Sequence, residues 1–157
     1  MPYWGFDGVA HPGGQMIVNK DSATKVAGVF RKLYAQKYPI RRMRLVDAYQ
    51  GDDFDSIDDD NTSAFNCRQA TGSGNWSQHA YGWAIDLNPC ENPYIVTGGE
   101  IAHRKCAKFY RNRSAREPGV ITRNDRVVKA FAAIGWGWGG NWDGNVKDTQ
   151  HFSKSGR

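Results

Sequence analysis

Two of the four histidines in this chain, His79 and His151, stand in local sequences that suit a metal site. His79 is followed seven residues later by Asp86, and Gly82 between them permits a sharp turn that brings both side chains towards one centre. The segment 83–88 is typical of a strand on which Asp86 faces the polar side. A buried carboxylate without a partner is costly, and a metal ion is one partner that removes this cost.

Two histidines and one aspartate make a set of three ligands. Zinc in proteins prefers four ligands in a tetrahedron, so His79, Asp86 and His151 leave one position for water. Zinc lowers the pKa of such a water to about 7, and a carboxylate must then accept its proton. Asp148, three residues before His151, is the candidate for this general base. The alternative makes His79 a hydrogen-bonded structural histidine and Asp86 a turn or capping residue, and spacing alone leaves it open.

The other histidines and the three cysteines have less distinctive surroundings. His11 precedes a Pro-Gly-Gly sequence and His103 lies in a basic run, which favours surface positions for both. The cysteines Cys67, Cys90 and Cys106 lack the Cys-x-x-Cys spacing of a structural zinc site. A Cys90–Cys106 disulfide with Cys67 left free is one arrangement, and the sequence does not settle whether it forms.

The elements that must position these residues follow from the hydrophobic pattern. Helical periodicity predicts two helices, over 22–38 and 123–134. Alternation and β-propensity predict strands over 43–49, 64–68 and 83–88, and strand and loop over 136–152. The acidic stretch 51–63 is predicted to be a loop. Together these elements indicate an α+β fold with a small, mostly antiparallel sheet and flanking helices, and the absence of repeats or linkers predicts one domain over 1–157.

The charges are unevenly distributed along a chain whose net charge is +5. Six aspartates stand in the segment 52–60, and six basic residues stand in the segment 104–116. The simplest interpretation of each segment is a solvated surface. Calcium binding by the acidic segment stays open, although its spacing does not follow the EF-hand pattern. A nucleic-acid binder is a rival suggested by charge and aromatic content, but the basic residues do not interleave with the tryptophans, so no nucleic-acid partner is expected.

Hydropathy and the N-terminal residues bear on where the chain acts. No apolar run approaches the roughly 20 residues of a membrane-spanning helix, so no integral membrane segment is expected. Residues 1–8 lack the basic stretch followed by an apolar stretch that marks a secretory signal.

The sequence around these candidate ligands resembles a known family. Ser77-Gln-His-Ala-Tyr-Gly-Trp-Ala-Ile-Asp86 resembles the Ser-x-His-x-x-Gly-x-Ala-x-Asp signature of the M15 metallopeptidases. The Gly- and Trp-rich segment 135–142, followed by Asp148-x-x-His151-Phe152, resembles the second half of that pattern. The family includes D-alanyl-D-alanine carboxypeptidases of the VanY type and L-alanyl-D-glutamate peptidases of phage endolysins. The resemblance runs from about residue 61 to 152 and includes Asn66-Cys67-Arg68.

This resemblance implies roles for individual residues. It implies an α+β fold like that of hedgehog and D,D-peptidase domains, with one zinc ion per chain held by His79, Asp86 and His151 in a cleft on the sheet. It also implies that Asp148 is the general base and later protonates the leaving amine. Arg68 matches an arginine that binds the scissile carbonyl and its developing oxyanion, although a structural ion pair is the alternative.

Two further residues are candidates for substrate contact. Ser77 matches the motif serine, which either contacts substrate or caps the turn at His79. Trp142 follows Gly139-Gly140 and is expected to line the cleft. The remaining tryptophans near the two motifs are expected to lie in the core.

The resemblance therefore predicts a monomeric zinc peptidase that hydrolyses the stem peptides of peptidoglycan. Which bond is cut stays open between carboxypeptidase and endopeptidase cleavage. The rival is an inactive, zinc-stabilised cell-wall-binding module, and Asp148 argues against it because such a module needs no proton shuttle. The expected location is the cell wall, reached either by a phage-type lysin released from the host cytoplasm or by a trimmed secreted domain.

Overall fold

The computed structural model describes residues 1–103, 105–106, 113 and 116–157. These residues form the predicted α+β fold, with short antiparallel sheets and helices against them. The helices are α1 (Lys20–Ala35), α2 (Asp53–Asp58) and α3 (Arg126–Ala132). The strands are β1 (Tyr3–Trp4), β2 (Ala10–His11), β3 (Ala84–Asp86), β4 (Tyr94–Ile95), β5 (Gly137–Trp138), β6 (Lys147–Asp148) and β7 (His151–Ser153). Short 3-10 helices cover Val46–Tyr49, Gln78–Tyr81 and Gly139–Asn141.

The two predicted helices form, with shifted ends. The Asn19 side chain caps α1 by accepting a hydrogen bond from the Asp21 N–H, and the buried face of the helix carries Val26, Val29, Phe30 and Leu33. The Asp125 side chain caps α3 in the same way. Both helices bury apolar residues at helical spacing, which is the pattern that predicted them.

The sheet that matters for the site has β7 in its centre, between β3 and β5. Strands β3 and β7 are antiparallel, and Ile85 lies opposite Phe152 while Asp86 lies opposite His151. The Phe152 ring stacks on Phe131 of α3, with centroids 4.1 Å apart. Because side chains alternate along a strand, this apolar pair faces the helices and the Asp86–His151 pair faces the opposite side.

Three predictions for residues 43–68 were wrong. Residues 46–49 of the predicted strand 43–49 form a 3-10 helix. The predicted acidic loop contains α2, whose N-cap Asp52 accepts a hydrogen bond from the Asp55 N–H, because aspartate favours the first turn of a helix. Residues 64–68 are extended without forming a strand, since Phe65 bonds to Ile17 and Asn66 to His79, and these partners belong to different segments.

The cysteines and charged segments also take definite positions. Cys90 and Cys106 form a disulfide, and Cys67 is free and exposed. Most acidic residues of the segment 52–60 pair with basic side chains, in the pairs Asp53–Arg68, Asp58–Lys105, Asp59–Arg42 and Asp60–Arg41. Much of the basic segment 104–116 lies outside the described residues. Within it, Arg113 points inwards and donates to Asn92 and Ile121, which contradicts a wholly solvated segment. None of the described helices is long and apolar enough to cross a membrane.

Candidate active site

A short 3-10 helix and the start of β3 place His79 and Asp86 together. The Ser77 hydroxyl accepts a hydrogen bond from the His79 N–H at 3.2 Å and so caps the helix Gln78–Tyr81. Gly82 ends this helix with φ +64°, and a Cβ there would lie 2.5 Å from the Asn19 nitrogen. Only glycine therefore fits this turn without displacing the backbone of residues 18 and 19.

The proton on His79 can be assigned from its surroundings. Its Nδ1 lies 2.6 Å from the carbonyl oxygen of Ala64, so Nδ1 carries the hydrogen and donates it. The other nitrogen, Nε2, faces Asp86 and His151, so when it gives up its proton its lone pair points into the cluster. A backbone carbonyl that fixes the tautomer in this way is the usual outer partner of a metal-binding histidine.

His79, Asp86 and His151 form a buried cluster. His79 Nε2 lies 3.2 Å from Asp86 Oδ2 and 3.2 Å from His151 Nδ1, and His151 Nδ1 lies 3.1 Å from Asp86 Oδ1. All three side chains are buried. Among the described residues this is the one group of three or more possible ligands whose atoms converge, all within 4.8 Å of one another.

The spacing of the cluster fits a small tetrahedral ion. Ligand atoms about 2.0–2.1 Å from a tetrahedral zinc lie ~3.3 Å apart, close to the distances between these donors. Two imidazoles and a carboxylate are also donors that zinc accepts in catalytic sites. The residues present therefore fit a zinc ion with one further position free.

The electrostatics of the cluster favour a charged Asp86. Burial raises the pKa of Asp86, but the neighbouring His79 and the hydrogen bonds from both histidines outweigh burial and hold it below its usual range. Burial likewise lowers the pKa of His79, and the Asp86 charge outweighs that effect and raises it. The cluster thus keeps a carboxylate ionised in the interior, as a cation-binding site requires.

Asp148 lies beside this cluster without belonging to it. It ends β6, where it pairs with Tyr94 of β4, and its carbonyl lies 2.3 Å from where a Gly139 Cβ would be. Its Oδ1 is buried and has no hydrogen-bond partner among the described residues. Burial, reinforced by the Asp86 charge, raises the pKa of Asp148 to about 7. A carboxyl group with such a pKa can both take and return a proton near neutral pH.

His79, His151 and Asp148 line a cleft of about 340 Å³ together with the other residues selected from the sequence. Arg68, Ser77 and Trp142 all lie in its wall. The Trp142 ring lies 5.8 Å from that of His151, and its Nε1 donates to the Gly156 carbonyl at 2.6 Å. Ser77 has the capping role that was one of its two predicted roles, with its hydroxyl oxygen as the acceptor, and the hydroxyl hydrogen is left to donate.

Arg68 is held by a residue that sequence reasoning did not single out. Its Nε lies 2.8 Å from Asp53 Oδ2, and the other Asp53 oxygen accepts a hydrogen bond from Asn66 Nδ2 at 2.9 Å. Asp53 therefore orients Arg68 on the cleft wall. Nothing in the sequence distinguished it from five other aspartates in the same segment, and only the start of α2 brings it to Arg68.

His103 is a second residue of the cleft that the sequence did not single out. The basic run around it predicted a surface position, and it lies partly exposed in the wall of the cleft with Tyr94. Among the described residues, the ring that contacts the His103 imidazole is that of Phe54, with centroids 4.6 Å apart. A hairpin that starts at β4 brings it there, and that hairpin was not predicted.

Comparisons with known proteins identify the family of the chain. A family model described as D-alanyl-D-alanine carboxypeptidase, within the M15 peptidases, matches residues 71–154, slightly more than half of the chain. The matched range includes His79, Asp86, Asp148 and His151, but it begins after Arg68. No curated protein and no solved structure matches the chain.

Proposed function

Because the chain belongs to the M15 peptidase family, we propose that it is a zinc-dependent peptidase that hydrolyses the stem peptides of peptidoglycan. The convergence of His79, Asp86 and His151 beside Asp148, whose Oδ1 has no hydrogen-bond partner among the described residues, is the observation that carries this proposal. An inactive binding module needs the three ligands but gains nothing from a buried carboxyl group that titrates near pH 7.

His79 Nε2, an Asp86 carboxylate oxygen and His151 Nδ1 would hold the zinc ion. When bound there, zinc supplies a Lewis acid and lowers the pKa of a water molecule at its free position. The buried strands β3 and β7 hold two of the ligands in register, and the Ala64 carbonyl fixes the ring of the third. The protein thus positions the ligands before any ion arrives.

Asp148 is proposed as the general base and then the general acid. Asp148 lies in the lining of the cleft, and its pKa near 7 suits a group that first accepts the proton of the attacking water. The same carboxyl group then returns a proton to the leaving amine, so that one residue serves both halves of the hydrolysis. Its burial keeps bulk water from competing for that proton.

Arg68 is proposed to bind the scissile carbonyl and to stabilise the negative charge that develops on its oxygen. The ion pair with Asp53 uses Nε and leaves part of the guanidinium for the substrate. Asp53 also offsets the positive charge of Arg68. The peptide carbonyl would therefore contact a guanidinium group that Asp53 holds in a fixed orientation, and not an unpaired cation.

The family description favours removal of the terminal D-alanine, and cleavage between L-alanine and D-glutamate is the alternative. Mass spectrometry of muropeptides incubated with the zinc-loaded protein distinguishes them. Loss of one alanine identifies a carboxypeptidase, and a split after the first stem residue identifies an endopeptidase. Unchanged muropeptides, with binding to cell walls retained, would instead support the binding module.

We further propose that the chain acts as a monomer at the cell wall, either as a phage-type lysin released from the host cytoplasm or as a secreted domain. The Cys90–Cys106 disulfide supports action in an oxidising compartment, because such bonds rarely persist in the cytosol.

A further inference from the structure

His103 is held at the cleft wall from both sides along the chain. On its N-terminal side, β4 and the turn after it form a hairpin in which Ile101 pairs with Ile95 and the Ala102 N–H donates to the Tyr94 carbonyl at 3.0 Å. On its C-terminal side, Cys106 is bonded to Cys90. The main chain around His103 is therefore anchored by two independent connections.

The imidazole itself lacks the partner that a buried polar atom normally has. Its Nδ1 is buried and has no hydrogen bond within the described part of the chain. The tilted contact with Phe54 does not account for the ring's position, because Phe54 remains 65% exposed and its packing buries little surface. A buried nitrogen without a partner costs free energy, so a ligand that satisfies it would gain affinity.

Helix α2 brings His103 and Arg68 to the same part of the cleft. Its first residue, Asp53, forms the ion pair with Arg68, and its second residue, Phe54, contacts the His103 ring at a tilt of 44°. Asp53 and Arg68 both act electrostatically on the His103 ring, and Arg68 and His103 line the same cleft, so a peptide held at Arg68 has His103 in the same binding region.

The charge state of His103 suits an uncharged part of the substrate. Burial lowers its pKa, although Asp53 and Asp58 oppose this, so the ring is neutral at neutral pH. A neutral imidazole has one donor and one acceptor nitrogen, and a peptide backbone offers both kinds of partner.

We propose that His103 is a substrate-binding residue and that, once binding turns the ring and exposes it, Nδ1 forms a hydrogen bond with the backbone of the bound stem peptide, on the side of the cleft that carries Arg68. This inference rests on the proposed peptidase function and adds to it a contact outside the motifs that relate the chain to its family.

The test compares three substitutions of His103 with one at a matched histidine. His103→Ala should lower kcat/KM for a muropeptide about 3- to 10-fold, mainly through KM, because it removes one neutral hydrogen bond. Zinc content and thermal midpoint should stay unchanged. His103→Asn places an amide near the position of Nδ1, and His103→Gln places one near Nε2. Asparagine should therefore restore more affinity than glutamine.

His11 provides the control, since it is also half-exposed and stacks on an aromatic ring, Tyr3, but lies outside the cleft. His11→Ala should leave KM unchanged. A wild-type protein that cleaves muropeptides while His103→Ala does so with an unchanged KM would overturn this inference alone. A loss that comes with a lower thermal midpoint and no rescue by asparagine would assign His103 a structural role. A wild-type protein that cleaves no stem peptide would overturn the proposed function as well.

Discussion

The two walls of the cleft are built in different ways. The sheet wall, formed by His79, Asp148 and His151 with Asp86 in contact with both histidines, stands on paired strands and the 3-10 helix before them, and the side chains of His79 and Asp86 are each 3% exposed. The loop wall, formed by Asp53, Arg68 and His103, depends on side-chain contacts, and the Arg68 and Asp53 side chains are 27% and 20% exposed. Backbone pairing holds the first wall, whereas individual ion pairs and ring contacts hold the second.

This difference suggests a division of labour. The backbone hydrogen bonds between strands persist when one side chain is replaced. Substitutions in the sheet wall should therefore remove catalytic activity while the fold is retained. The loop wall loses its geometry when a single contact is lost, and its solvent exposure screens each interaction. We therefore expect large losses of activity from the sheet wall and graded losses from the loop wall.

The largest effect is expected from the zinc ligands. His151→Ala and His79→Ala should each abolish zinc binding at micromolar zinc, and with it essentially all muropeptide cleavage, because two protein ligands hold the ion far less well than three. Metal analysis of the purified proteins and assays before and after chelation measure this. Zinc contents equal to that of the wild type in both variants would show that the ion binds elsewhere.

Asp148→Asn should come next, with turnover lowered about 100- to 10,000-fold while zinc content is retained. The substitution keeps the size of the side chain and removes the base, and Asp148→Glu should retain part of the activity. If Asp148 instead orients His151, Asp148→Asn should lower zinc affinity about 10- to 100-fold. Zinc affinity and turnover measured on one sample separate the roles, and activity restored by excess zinc would contradict the base assignment.

For the loop wall, Arg68→Ala should lower turnover about 100- to 1000-fold without loss of zinc, as expected for a donor to a developing oxyanion. Arg68→Lys should restore only part of this, because a point charge lacks the planar fork. Arg42→Ala is the matched control, since Arg42 forms an ion pair with Asp59 outside the cleft lining. Muropeptide cleavage at the wild-type rate by Arg68→Ala would make Arg68 a structural partner of Asp53.

The same contrast explains how much the sequence predicted. The sheet wall is encoded locally, because the turn at Gly82 and the strand after it lie within eight residues of His79, and Asp148 lies three residues from His151. Its residues could therefore be selected from spacing and from the family resemblance. The first motif carries His79 and Asp86 and the second carries His151. The antiparallel pairing of Asp86 with His151 brings the two motifs together into one cluster.

The loop wall could not be selected in this way, because its contacts join distant segments that have no periodic signal. Asp53 was one of six aspartates in a predicted loop, and the helix that turns it towards Arg68 begins with a capping interaction that hydrophobic periodicity does not detect. His103 lay in a run of basic residues that favoured the surface. Its place in the cleft depends on a hairpin and a disulfide whose formation the sequence left open.

The smallest expected effect concerns the stability of the zinc-free protein. It tests whether ionisation of Asp148 in the sheet wall destabilises the fold. The pKa of Asp148 is raised from 3.8 to about 7, chiefly by burial and then by the Asp86 charge. A group whose pKa is higher in the folded state contributes stability that is present below about pH 4 and is lost as the pH rises through about 7. Zinc-free protein should therefore lose stability over this range through Asp148.

The asparagine in Asp148→Asn does not titrate. The thermal midpoint of the variant minus that of the wild type should therefore increase from pH 4 to pH 8. One pKa unit corresponds to about 1.4 kcal/mol, and relaxation around a partly buried group should reduce the full shift to on the order of 1–2 kcal/mol. For a domain of this size that is about 2–8 °C. Zinc should reduce the difference, because its charge offsets that of Asp86 and leaves the contribution of burial. The contrary outcome is a constant difference between the thermal midpoints of zinc-free wild type and zinc-free Asp148→Asn from pH 4 to pH 8. It would mean that the Asp148 carboxyl ionises in the folded protein without loss of stability. Its Oδ1 would then be hydrated rather than poised for proton transfer.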